Sequence, residues 1–147
     1  MISIAVEKTI NATPLQVREI LLEHEQLNRF FNADFILVRK QNEGEVEGGK
    51  GAIRQIRMMG IKFEEVIVCA DDNHIFYQIM GNKPVSEHRG NIHFSQANNT
   101  NTPNTEVSYH ISCKAPWWLP TFLLSFFIKK DIKQALNKLA DNFNVNT

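Results

Sequence analysis

Four polar residues stand inside runs that otherwise favour β-structure, and these are where chemistry could be done: Arg54, Glu64, Tyr77 and His88. Inside an apolar cavity a carboxylate, phenol or imidazole can hold a ligand's hydroxyl or carboxylate, or move a proton. Glu64, Tyr77 and His88 are therefore the candidate acid/base groups, with Arg54 as an anchor. A plainer reading pairs Arg54 with Glu64 across neighbouring strands on the wet face of a sheet. Alternation in a bent strand, where a bulge shifts parity, leaves both readings open.

Other arrangements carry less. Gly44-x-x-x-x-Gly49-Lys50 is close to a phosphate-binding loop, but Gly51 stands where Ser or Thr must hold magnesium, and a strand follows instead of a helix. Glu43, Glu45 and Glu47 would also repel phosphate, so a flexible turn is the better account. His88 and His93, five apart on one strand, point to opposite faces, while His24, His74 and His110 lie on other elements. A cross-strand pair of His88 with His110 stays open. The chain has no Cys-x-x-Cys, no His-Glu-x-x-His and no carboxylate cluster, so neither metal nor cofactor is expected. Ser108, His110 and Ser112 share a face of the last strand, with Val107, Tyr109 and Ile111 as its inward set. Serine alternating with histidine is ordinary on a solvent-facing side, and no Gly-x-Ser-x-Gly turn exists.

The totals narrow the class. A chain of 147 residues fits one domain, spanning 1–147. Its sixteen basic and sixteen acidic residues cancel, which leaves no footprint for nucleic acid. The N-terminus lacks the basic and apolar regions of a signal peptide. Cys69 and Cys113 then stay reduced, and a cytoplasmic location is the expectation.

These residues need elements to position them. Ile2, Ile4, Val6 and Lys8 alternate with Ser3, Ala5, Glu7 and Thr9, which predicts a strand over 2–10. Thr13 as N-cap and Pro14 at the first helical position open a short helix. A second short helix is expected over 25–31, with Phe30 and Phe31 inward. Strands follow at 35–40, 50–58, 61–70, 74–80, 87–96 and 105–114, with a two-residue turn at Met59-Gly60 and a long polar loop at 97–104. The run 115–128 is apolar nearly all round, then becomes an amphipathic helix with Ile128, Ile132, Ala135, Leu136, Leu139 and Phe143 on one stripe. With two prolines it is too short to span a bilayer, which takes about 20 apolar residues. The fold class is α+β: a seven-stranded curved antiparallel sheet gripping a long C-terminal helix, with two short helices after the first strand.

Several local patterns, in this order, resemble the START-like superfamily, the helix-grip fold, and within it the polyketide cyclase/dehydrase-type proteins often called SRPBCC. Thr13-Pro14-Leu15-Gln16-Val17-Arg18-Glu19-Ile20-Leu21 is similar to the family's opening, with Arg18 where Trp is usual. Gly49-Lys50-Gly51 looks like its Gly-x-Gly entry to the third strand. Glu64-Glu65-Val66, then Ile75-Phe76-Tyr77-Gln78-Ile79 and Thr105-Glu106-Val107-Ser108-Tyr109, follow its later motifs. The resemblance implies a hydrophobic cavity between sheet and terminal helix, and no shared catalytic residues. It makes Arg54, Glu64, Tyr77, His88, Phe94, Tyr109, Trp118, Phe122 and Phe126 the expected ligand-binding set.

Three functions follow as expectations. The first is binding of a hydrophobic or amphipathic small molecule (lipid, sterol or polyketide-like). The second is a cyclase or dehydratase using Glu64, Tyr77 or His88. The third is an interaction module whose aromatic helix end meets a protein or a bilayer.

Overall fold

In a computed structural model, which describes residues 1–97 and 102–144, the chain forms β1 (Ile2–Ile10), α1 (Pro14–Leu21), a 3₁₀ helix η1 (His24–Arg29), β2 (Asp34–Arg39), β3 (Ile53–Met58), β4 (Ile61–Ala70), β5 (His74–Ile79), β6 (Ser86–Gln96), β7 (Thr105–Lys114) and α2 (Thr121–Asn144). The seven strands make one antiparallel sheet in the order β1-β7-β6-β5-β4-β3-β2. Hairpin follows hairpin from β2 to β7, and β1 closes on β7. The centre of the polar loop expected at 97–104, positions 98–101, lies outside the described residues.

Local chemistry accounts for the elements. Along β1 the residues Ile2, Ile4 and Val6 are buried and their neighbours exposed, the alternation of a strand with one wet face. Thr13 caps α1: its hydroxyl accepts from the Gln16 N–H at 3.2 Å and the Gln16 side chain accepts from the Thr13 N–H at 2.9 Å. The β3–β4 turn places Met59 and Gly60 at positive φ (50° and 79°), the geometry of a two-residue hairpin. Extra residues enter β2 between Leu37 and Arg39, β4 between Ile67 and Cys69, and β6 between Ser86 and Arg89. Each bulge bends its strand and reverses which side chains face inward beyond it.

The core lies between the sheet and α2. Ile4, Val6, Val107, Tyr109 and Ile111 from the sheet pack with Ile132, Ala135, Leu136 and Leu139 of α2, and Val17, Leu21 and Leu27 close one end. Helix α2 packs against β1. The terminal helix starts later than its apolar sequence suggests, because residues 116–119 form a turn and Pro120 opens the helix, accepting from the N–H groups of Leu123 and Leu124. The second short helix is 3₁₀ and ends at Arg29, with Phe30 buried and Phe31 half-buried. Cys69 and Cys113 are free, and β5 and β6 separate their strands, a span of roughly 14 Å at sheet spacing that no disulfide bridges.

The two ends of α2 differ in what they bury. Leu136→Ala, in the packed half, is expected to lower unfolding free energy by about 2–5 kcal/mol. Phe122→Ala, at a residue 77% exposed, should change it by no more than about 0.5 kcal/mol. Urea unfolding followed by circular dichroism checks both.

Candidate functional site

A charged pair sits inside the sheet's concave face. Because the β3–β4 turn uses two residues, the register sets Arg54 opposite Glu65. Both are buried, at 7% and 5% exposure. Arg54 Nε and Nη2 donate to Glu65 Oε1 at 2.9 and 2.7 Å. Its guanidinium lies 4.7 Å from the centre of the Tyr77 ring and 5.4 Å from that of Phe35, in the range for cation–π attraction. Burial works against the charge on Arg54, but the Glu65 carboxylate holds its pKa above the ordinary value.

The third donor of Arg54 orders a histidine. Gly48, at φ +77°, presents its carbonyl to His24 Nε2 at 2.8 Å, so that nitrogen carries the proton. The other ring nitrogen, Nδ1, is then free to accept from Arg54 Nη1 at 3.3 Å. Burial first, and the Arg54 charge second, lower the His24 pKa to about 4. The imidazole is therefore neutral at physiological pH.

Two tyrosines complete the centre. The hydroxyls of Tyr77 on β5 and Tyr109 on β7 are hydrogen-bonded to each other across the intervening strand. Tyr77 reaches over β6 because its cross-strand partner is Gly90, where a Cβ would run into the phenol ring. Burial, then the Tyr109 neighbour, push the Tyr77 pKa well up, and burial likewise raises Tyr109. Both phenols are neutral, and either hydroxyl can donate to the other. Phe31 lies 6.5 Å from Tyr109 and 6.0 Å from Phe35, so two half-buried phenylalanines wall the group on the side of η1 and β2.

His88 links this centre to the surface. Its ring tilts against Tyr77 at 5.5 Å, and the Ile79 N–H donates to His88 Nδ1 at 3.2 Å. That bond fixes a neutral tautomer with Nε2–H free, and burial lowers the pKa. The bulge in β6, with Glu87 at φ 51°, re-aims the strand at this point. His88 also lines an open depression of about 330 Å³ with Met1, Gln78, Glu87, Arg89 and Ser112. A second depression, about 530 Å³, is bordered by Asn28, Asn32, Asp34, Arg57 and Met59, beside the segment that carries Phe31 and Phe35.

The sequence profile described as "Polyketide cyclase / dehydrase and lipid transport" matches residues 1–144. The chain belongs to that family. A START superfamily protein from Mycobacterium smegmatis superposes with a TM-score of 0.77 at 9% identity, covering 99% of each chain. XoxI from Bacillus cereus gives 0.74 at 17% identity, over 97% of this chain and 96% of its own. The Aha1 dimer from Colwellia psychrerythraea gives 0.70 at 16% identity, over 97% and 96%. At such identities the likeness carries the helix-grip fold alone. A search of curated proteins finds no match.

Within this family member, Arg54, Tyr77, His88 and Tyr109 lie together. Glu64 does not join them: it opposes Gln55 on the other face of β4, and Glu65 takes the inward place. The cross-strand ion pair is thus real in kind, but it involves Glu65 and lies inside. Phe94 is buried in the core beside Val107 of β7. Trp118, Phe122 and Phe126 are exposed. His24, Phe31, Phe35 and Glu65 belong to the centre and were not singled out from the sequence. For Glu65 a signal existed: four steps outward from the Met58–Ile61 pair lead to Arg54 and Glu65. His24 had none, since its partner carbonyl comes from a loop distant in sequence.

On the outer face, His74 stacks on His93 at 4.4 Å, and His93 meets His110 edge-on at 6.3 Å. Ser108 Oγ and His110 Nε2 are 3.0 Å apart there. Cys69, Asp71 and His74 each offer one donor atom within 4.8 Å of the others, a group among the described residues that could hold a metal ion.

Two outcomes follow from this geometry. Gly90→Ala should displace the Tyr77 ring and lower stability by about 1–3 kcal/mol, as overpacking does, with loss of near-ultraviolet tyrosine dichroism. The neutral His24 contributes stability that is present in full above pH 6.5 and lost as pH falls toward about 4. His88 acts in the same direction. Unfolding free energy should therefore drop by up to about 1.4 kcal/mol per pH unit for His24 in that window. His24→Gln, which keeps one donor and one acceptor, should flatten the slope in urea titrations at stepped pH.

Proposed function

We propose that this chain binds a hydrophobic or amphipathic small molecule, of lipid, sterol or polyketide-like character, between its sheet and α2. The observation that carries this reading is the buried polar centre of Arg54, Glu65, Tyr77 and Tyr109. An ion pair inside an apolar core adds little stability, because desolvating both charges costs several kcal/mol per ion. Its value lies in orienting polar atoms where an apolar ligand needs one point of recognition. The phenol O–H groups, held neutral, suit a ligand carbonyl or hydroxyl. The family described as polyketide cyclase / dehydrase and lipid transport supports the ligand class.

Access is proposed on the side of Phe31 and Phe35, which are only half-buried and stand between the centre and the wider surface depression. Their displacement would open a path to Tyr109 and Arg54. Burial of ligand carbon supplies the affinity, at roughly 25 cal/mol per Å². Binding is favoured over cyclase or dehydratase turnover by the state of the polar groups. Arg54 engages Glu65 by two hydrogen bonds, and both phenols are pushed away from the pH range in which they exchange protons. Residence in a reducing, cytoplasmic compartment is part of the same reading and accords with two free cysteines.

Titration with a fluorescent fatty acid, sterol and flavonoid panel tests the proposal, alongside mass spectrometry of an organic extract of the purified protein. One class should bind, and Tyr109→Phe should weaken it roughly 5- to 100-fold, the loss of one buried hydrogen bond. Failure of every class together with an empty extract would overturn it.

A further inference from the structure

The structure assigns a second surface, distinct from the polar centre: the tip formed by residues 116–119 and the first two turns of α2 is a docking site for an anionic phospholipid bilayer. Trp117, Trp118, Phe122, Phe126 and Phe127 are exposed by 95, 65, 77, 60 and 52%. Large aromatic side chains so far in the open, in one contiguous stretch of chain, mark a surface made to be covered. The turn at Pro116, closed by the Leu119 N–H on the Pro116 carbonyl at 3.1 Å, holds the two tryptophans at its apex. Leu124 and Ile128 of the same helix are half-buried against the core, so the tip is anchored from behind.

Charge selects the occupant. Sixteen acidic residues occur in the chain, yet none lies between Ala115 and Lys130. Phe122, Phe126, Lys130 and Lys133, spaced by four and three, run along one exposed stripe of α2, with Lys129 beside them. Among the described residues these three lysines form no ion pair. Aromatic rings at the end and unpaired cations one turn behind match the order met on entering a membrane: acyl boundary first, phosphate headgroups above. No helix among the described residues is long and apolar enough to cross a membrane, so α2 would dip and not span. A protein partner would need carboxylates set around an apolar socket, whereas an anionic bilayer supplies both over any orientation of the tip.

Both tryptophans of the chain lie in the tip, so their emission reports on it directly. With vesicles of phosphatidylcholine containing phosphatidylserine, emission should shift to the blue and the protein should co-sediment. Vesicles of phosphatidylcholine alone should bind on the order of tenfold more weakly. The double variant Lys129→Glu/Lys130→Glu should abolish that preference, and Trp118→Ala with Phe122→Ala should remove binding to both. All four residues are exposed, so the variants keep the fold. Unshifted emission without co-sedimentation on anionic vesicles would overturn the assignment. So would a dimer in sedimentation equilibrium that Phe122→Ala/Phe126→Ala dissolves, because the tip would then be an interface between copies. The assignment does not depend on the ligand reading, and soluble-ligand titration and vesicle binding fail independently.

Discussion

The salt bridge between Arg54 and Glu65 is the constraint around which the concave face of this sheet is organised. Two charges removed from water must be satisfied locally, and each neighbour answers to that need. Glu65 takes two of the guanidinium's donors and His24 a third. Tyr77 and Phe35 offer their π-faces to the cation. The demand reaches outward from there. His24 must be neutral, so its other nitrogen needs an acceptor, and the loop supplies the Gly48 carbonyl. Tyr77 must lie across β6, so β6 carries glycine at position 90. A run of residues scattered over the sequence is thus held by one electrostatic requirement.

Helix α2 shows the opposite principle, where one element answers to two environments. Its C-terminal half obeys the hydrophobic effect in the ordinary way, with Ile132, Leu136 and Leu139 turned to the sheet. Its first turns do not. Phe122, Phe126 and Phe127 face away from the core although they are among the largest apolar side chains in the chain. Stability alone would bury them, and their exposure is what the docking proposal accounts for. Polar residues lie within the grip and apolar residues at the tip, a reversal expected where function competes with folding.

The fold by itself settles none of this, since one architecture hosts many chemistries and the three similar structures named above share 9–17% identity with the chain. The grip of this chain holds an arginine paired with a glutamate, two hydrogen-bonded phenols, and two histidines kept neutral chiefly by burial.

Much of the architecture was written locally. Alternation of apolar residues in 2–10 and 105–114, the Thr13-Pro14 cap and the Met59-Gly60 turn each depend on near neighbours, and each element appears where its chemistry places it. The candidates Arg54, Tyr77, His88 and Tyr109 could be picked out because polar groups in apolar strands are conspicuous at short range. Choosing Glu65 over Glu64 required the register of two strands, and finding His24 required a loop brought back by the tertiary fold. The exposure of Trp117, Trp118 and Phe122 was decided in three dimensions as well. A sequence shows that a side chain is apolar, but whether it meets the sheet depends on where α2 begins and how far it extends past β1. Local physics determines the elements; only long-range packing decides which faces meet.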